Sequence, residues 1–107
     1  MAIAPSVDSL YIHDMEFEWD AVKADRNLKK HGVSFMEARS VFDDSDALII
    51  PDPDHSETEE RFILLGTSYK LRVLIVVHCE RSDDILRIIS SRKATRREAA
   101  QYDRRKP

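Results

Sequence analysis

Three short stretches bring together side chains that can move protons or hold an anion. Lys23, Asn27 and Lys30 follow the spacing i, i+4, i+7, so on a helix they stack on one face. Arg26 joins the same cationic arc, and His31 falls beside Asn27 on its border. A histidine on such a border can hydrogen-bond and still touch solvent, which is where an acid or a base must sit. The ending KKHG also suits a helix terminus: cations favour the negative end of the helix dipole, and glycine stops the helix. A solvated cationic face is therefore the competing reading.

The second stretch is RIISSRKATRR, residues 87–97. Arg87 interrupts an apolar strand pattern. It must leave the sheet edge, pair with a carboxylate or bind an anion. Ser90, Arg92 and Lys93 follow where strand gives way to helix, and free backbone N–H groups there add to the attraction for phosphate. The third stretch is the acidic run PDPDHSETEE, 51–60. Its carboxylates and His55 are the right types for a divalent metal, but no ligand spacing appears, and a solvated acidic loop is the simpler reading. Glu60 stands apart. It is expected to open a strand, and a carboxylate held on a strand is a better catalytic candidate than one on a loose loop.

The elements that must carry these groups follow from pattern and punctuation. EFEW at 16–19 alternates and predicts a short strand. Asp20 can cap a helix over 21–31, with Gly32 as its stop and Ala21, Ala24 and Leu28 as its core face. Ser34 and Glu37 have capping-box spacing, predicting a second helix over 35–42. ALII (47–50), ERFILLGTS (60–68), RVLIVVHCE (72–80) and DILRIISS (84–91) read as strands, and the short links between the last three predict antiparallel hairpins. VLIVV is apolar at both parities, so it belongs in the middle of the sheet, buried on both sides. A last helix is expected over 95–104. The order β-α-α-β-β-β-β-α, with helices grouped around an antiparallel sheet, defines an α+β domain.

Totals narrow the function classes. The chain of 107 residues is 42% apolar and 35% charged, enough for one core and too mixed for wholesale disorder. Residues 1–14 have no clear period and are expected to form a loose extension before a single domain over 15–107, with Met15 as a possible alternative start. No apolar run reaches the roughly 18 residues of a membrane span. One cysteine, Cys79, excludes an internal disulfide and points to a reducing, cytoplasmic setting. No glycine-rich phosphate loop and no nucleophile elbow appears. The four histidines form no metal-like pair, and His78 reads as a core or interface residue. The net charge of −3 hides two blocks. Residues 1–60 hold five basic and fifteen acidic side chains (−10), while residues 61–107 hold twelve and five (+7). Such a split is compatible with nucleic acid or with a charged protein partner.

The pieces in this order resemble the BrnT family, ribonuclease toxins of type II toxin–antitoxin systems. The resemblance rests on FEWDAVKADRNLKKHGVSFMEA (17–38), VFDD (41–44), DPDHSETEER (52–61), LLGTS (64–68), RVLIVV (72–77) and RIISSRKATRREAAQY (87–102). It implies a RelE-like fold, RNA cleavage that inhibits translation and growth, and a BrnA-type antitoxin that joins the toxin in a 2:2 assembly. DNA would be reached only through that antitoxin. Carried onto this sequence, it implies His31, Glu60, Arg87 and Arg92 as catalytic candidates, and Lys23, Asn27, Lys30, Arg61 and Ser90 as RNA-contacting ones; Lys93 joins the latter on its place at the strand-to-helix junction. No metal or other cofactor is expected. Two other functions stay open on the residues: a non-catalytic module docking a partner through its charged faces, and a metal-dependent nuclease using the acidic loop.

Overall fold

Asp20 starts the first helix as predicted. In the computed structural model, which describes residues 15–53 and 60–105, its Oδ1 accepts the Val22 and Lys23 N–H groups at 2.8 and 3.1 Å. These bonds hold its carboxyl below the usual range. The expected extension 1–14 and most of the acidic loop, 54–59, lie outside the described residues.

Helix α1 spans Ala21–His31 and ends at Gly32, whose φ of 70° is left-handed and whose N–H donates to Leu28 O at 2.8 Å. Ser34 then caps α2, Phe35–Ser40, by accepting the Glu37 N–H. The helix tightens into a 3₁₀ turn at Val41–Asp43, so the α-helical part is shorter than the pattern predicted. Strands follow as β2 (Leu48–Pro51), β3 (Phe62–Thr67), β4 (Val73–Ser82) and β5 (Ile85–Lys93), and α3 (Arg96–Arg105) is the last described element. The short β1, Glu16–Glu18, is the first.

The sheet runs β1-β5-β4-β3-β2. Strands β2 to β5 form the antiparallel meander, with β4 at the centre as expected. The one parallel contact is β1 against β5, limited to Glu16–Glu18 beside residues 85–87. Three residues of EFEW gave no sign of their partner. The strand sits where it does because the meander brings β5 back beside the start of the chain.

One face of the sheet packs Leu64, Leu74, Val76, Leu86 and Ile88 against Val33 of the α1–α2 linker, Phe35 and Ala38 of α2, and Val41 and Phe42 of the 3₁₀ turn. Leu65, Ile75 and Tyr102 form a smaller cluster, flanked by Ile63, Val73 and Val77. Among the described residues α3 is the helix on this face, and Ile63 and Val77 beside it are half-buried.

Of the core face predicted for α1, only Ala24 packs against the core. Ala21 is exposed and Leu28 is 47% exposed, while the buried residue of the helix is Asn27. The cause is position. Helix α1 lies against the edge of β5 beyond the point where β1 stops, so the side facing inward meets strand backbone, which a polar amide satisfies and a leucine does not.

Candidate active site

Asn27 is the hinge of the site. Its Nδ2 donates to Ser91 O at 2.8 Å and to Val33 O at 2.9 Å, and its Oδ1 accepts the Ser91 N–H at 3.1 Å. The amide thus pairs with β5 as a neighbouring strand would, and ties the α1 C-terminus to it. Asn27 was expected among the RNA contacts. Its side chain is instead buried and spent on backbone, so it positions its neighbours.

What it positions is the junction of two cavities. The first, about 300 Å³, lies over the open sheet face. Ile63, Ile75 and Val77 form its apolar floor, and His31, Asp52, Ser90 and Arg92 bring the polar groups. The second, about 320 Å³, runs along α1 and is lined by Lys23, Arg26, Asn27, Lys30, His31, Ile89 and Ser90. His31 and Ser90 belong to both. Pairing of Val77 with Ser90 and of His78 with Ile88 leaves Ile89 as an extra residue in β5. This bulge re-aims the strand where the two cavities meet.

Arg92 is firmly held. Its Nη1 and Nη2 donate to Glu98 Oε1 and Oε2 at 2.8 and 3.0 Å, and Nη1 also reaches Lys93 O at 3.2 Å. Glu98 is itself half of a capping box on α3: it accepts the Thr95 N–H at 2.8 Å, and Thr95 Oγ1 accepts the Glu98 N–H at 3.1 Å. The Arg92 bonds, opposed by partial burial and helped by the Thr95 N–H, hold the Glu98 carboxyl down at about 2. A guanidinium has five N–H donors in a fixed fork. The end-on grip by Glu98 leaves Nε–H and one Nη2 hydrogen, the side-on pair that suits two phosphate oxygens.

The remaining expected residues divide. Lys23 and Lys30 line the second cavity with Arg26. Arg87 lines neither cavity. It donates to Glu18 of β1 at 2.9 Å, and Arg81 bonds the same carboxylate at 3.0 Å. It lies five residues from Arg92, roughly 16 Å along an extended strand. The two arginines therefore do not converge, and the salt-bridge reading of Arg87 describes its setting. Glu60 also departs from expectation. Strand β3 begins only at Phe62, Glu60 is exposed, and it lines neither cavity. Arg61 is half-buried, and its carbonyl accepts the Asp52 N–H at 2.9 Å. Lys93 is exposed at the end of β5. His78 is a core residue, 0% exposed, packed edge-on against Phe42. Burial pushes its imidazole down to about 4, against a weak contact to Val76 O.

Sequence reasoning missed Asp52 and Glu98. Asp52 was visible only as one acid of a loop. Its place depends on β2 ending at Pro51 opposite Phe62. Glu98 did carry a signal, the T-x-x-E spacing from Thr95. Among the described residues, no three His, Cys, Asp or Glu side chains gather as metal ligands would. Most of the acidic loop that suggested a metal lies outside them. No helix among them is long and apolar enough to cross a membrane.

The fold and site define a small α+β protein whose mostly antiparallel sheet bears an open, cation-rimmed cavity. The family model described as the ribonuclease toxin, BrnT, of type II toxin–antitoxin system matches residues 19–98. The chain belongs to this family of ribonuclease toxins, whose system includes an antitoxin as partner. Among solved structures, it is similar to the crystal structure of the Brucella abortus ribonuclease toxin BrnT. The TM-score is 0.60 at 24% identity, over 77% of this chain and 99% of that one. At that identity the likeness concerns the fold. No curated protein matches the chain.

Proposed function

We propose that this toxin is an endoribonuclease that cleaves RNA by attack of a 2′-hydroxyl on the adjacent phosphate, without a metal. The observation that carries the reading is the shared cavity wall. His31 and Arg92 line one nucleotide-sized space, and Lys23, Arg26 and Lys30 line a second that opens onto it through His31 and Ser90. The first cavity receives the scissile phosphate. The second holds the neighbouring backbone by charge, which fixes register without reading sequence.

The chemistry needs two proton transfers and a sink for charge on the phosphorane. His31 performs one transfer. The Asn27 clamp ties the helix end that carries it to β5, and the residue stays half-exposed. Arg92 meets the phosphate oxygens with its side-on donors. Glu98 fixes its plane before substrate arrives, so little reorganisation is left for the reaction. The apolar floor of Ile63, Ile75 and Val77 suits the flat face of a base. In the cell the activity inhibits translation and growth. Neutralisation falls to a BrnA-type antitoxin in a 2:2 assembly, which carries the DNA contacts of the pair.

The test is incubation of the purified chain with RNA in excess chelator, followed by analysis of product ends. Cleavage leaving 2′,3′-cyclic phosphates is expected. Cleavage that stops on chelation would favour a metal nuclease, and intact RNA with tight partner binding would favour a docking module.

A further inference from the structure

The cavity holds one proton-transfer group on the α1 side, and the reaction needs a second on the other side of phosphorus. In an in-line displacement the attacking 2′-oxygen and the leaving 5′-oxygen lie opposite each other across the phosphate. Base and acid must therefore approach from opposite walls. His31 enters from the α1 end, beside β5. Among the described residues that line the cavity, the carboxylate is that of Asp52, on the far side just past the end of β2. Three strand spacings separate β5 from β2, roughly 14 Å of backbone, and the cavity floor on β3 and β4 lies between.

We infer that Asp52 is the general base of the reaction and that His31 is its acid. This rests on the ribonuclease reading above and adds to it a catalytic residue and a direction of proton flow. Asp52 is placed for the task. It follows the β2–β3 ladder directly, and its N–H donates to Arg61 O at 2.9 Å, so its backbone is set by the sheet. It is half-buried, whereas Glu60 is exposed and outside the cavity. An ionised carboxylate only accepts hydrogen bonds, and an imidazolium only donates them, which suits the two roles.

In the step, the 2′-hydroxyl proton passes to the Asp52 carboxylate as a 2′-oxygen lone pair bonds to phosphorus. The P–O5′ bond breaks, its electron pair stays on the 5′-oxygen, and His31 supplies the proton that completes the 5′-hydroxyl. The products are a 2′,3′-cyclic phosphate and a 5′-hydroxyl. Water then takes the proton from Asp52 and returns one to His31.

The experiment compares ordinary RNA with RNA whose scissile 5′-oxygen is replaced by sulfur, a leaving group that needs no proton. Wild-type, Asp52→Asn and His31→Ala chains are assayed on both. Asp52→Asn is expected to lose about 100-fold or more on both substrates. His31→Ala is expected to lose as much on ordinary RNA and to recover toward wild type on the sulfur substrate. Asp52→Glu, with the carboxylate kept, should retain part of the rate. Thermal melting checks that each variant is folded, and Asp52→Ser replaces Asp52→Asn if that chain does not fold. Wild-type rates in the Asp52 variants, or their rescue by sulfur, would overturn the assignment while leaving the ribonuclease reading intact. A wild-type chain inert on ordinary RNA would overturn both.

Discussion

At the scale of single residues, burial claims an amide that looked functional and an imidazole that did not. Asn27 sits in a stripe with lysines, so its helical spacing suggests a binding face. Two of its three backbone bonds belong to a long-range contact with Ser91 that spacing cannot reveal, and the third goes to Val33 O. Asn27→Ala should cost about 2–4 kcal/mol, since it orphans buried backbone groups on both partners, and denaturant unfolding would measure it. His78 was legible as a core histidine because it interrupts the most apolar strand. Its folded value, about 4, lies below the unfolded value of about 6.5. The unfolded chain therefore binds a proton first on acidification. Stability is full above the unfolded value and falls between about pH 6.5 and 4, by about 2 kcal/mol at pH 5. Melting curves at pH 7 and 5 should show this difference shrink in His78→Gln. An unchanged difference would place the acid sensitivity elsewhere.

At the scale of elements, caps and periods made α1 legible to the residue, and hairpin spacing made β2 to β5 legible within a few positions. The pairing of β1 and the burial of Glu37 were not, because both depend on contacts far along the chain. Glu37 is 0% exposed. Burial raises its carboxyl, and bonds from Arg72 and Ser68 outweigh that and hold it below the usual range. Ser68 Oγ donates to Oε2 at 2.7 Å and Arg72 Nε donates to the same oxygen at 2.9 Å, while Arg72 Nη2 bonds both Oε1 and Gly32 O. The β3–β4 turn is thereby locked to the α1–α2 corner behind His31. Arg72→Ala leaves a buried carboxylate without its cation and should cost about 3–5 kcal/mol. Gly66 is a second silent constraint. A Cβ there would meet the Ala47 Cβ and Asp44 Oδ2 at 2.9 Å. Asp44 Oδ2 also accepts the Thr67 N–H at 2.8 Å and the Tyr102 hydroxyl. With burial, that bond pushes the phenol up to about 12 and anchors α3 over the second face. Gly66→Ala should therefore lower the melting temperature and loosen α3, seen as faster amide exchange along it.

At the scale of the whole molecule, the charge asymmetry legible in the sequence becomes a spatial fact only after folding. The cations of the proposed track come from both halves of the chain: Lys23, Arg26 and Lys30 from α1, and Arg92 from β5. The fold class and element order could be read from pattern, while the site could be read only as candidates, because a cavity is made by elements distant in sequence. Of the arginines singled out, Arg92 lines the first cavity and Arg26 the second, while Arg61 and Arg87 line neither. Four phosphate contacts to single-stranded RNA predict a plot of log K against log salt with a slope of about −3. Lys23→Ala should flatten it by about 0.7. A salt-independent affinity would argue that RNA does not bind along this track.

Cleavage in the cavity lined by His31 and Arg92 is tested by the RNA cleavage rate of Arg92→Ala beside that of Arg87→Ala. Arg92→Ala should lose about 100-fold or more, as expected when a charge-stabilising donor is removed from a transition state. Arg87→Ala should stay within a few-fold of wild type. Full activity in Arg92→Ala, or an equal loss in Arg87→Ala, would contradict the placement of the site.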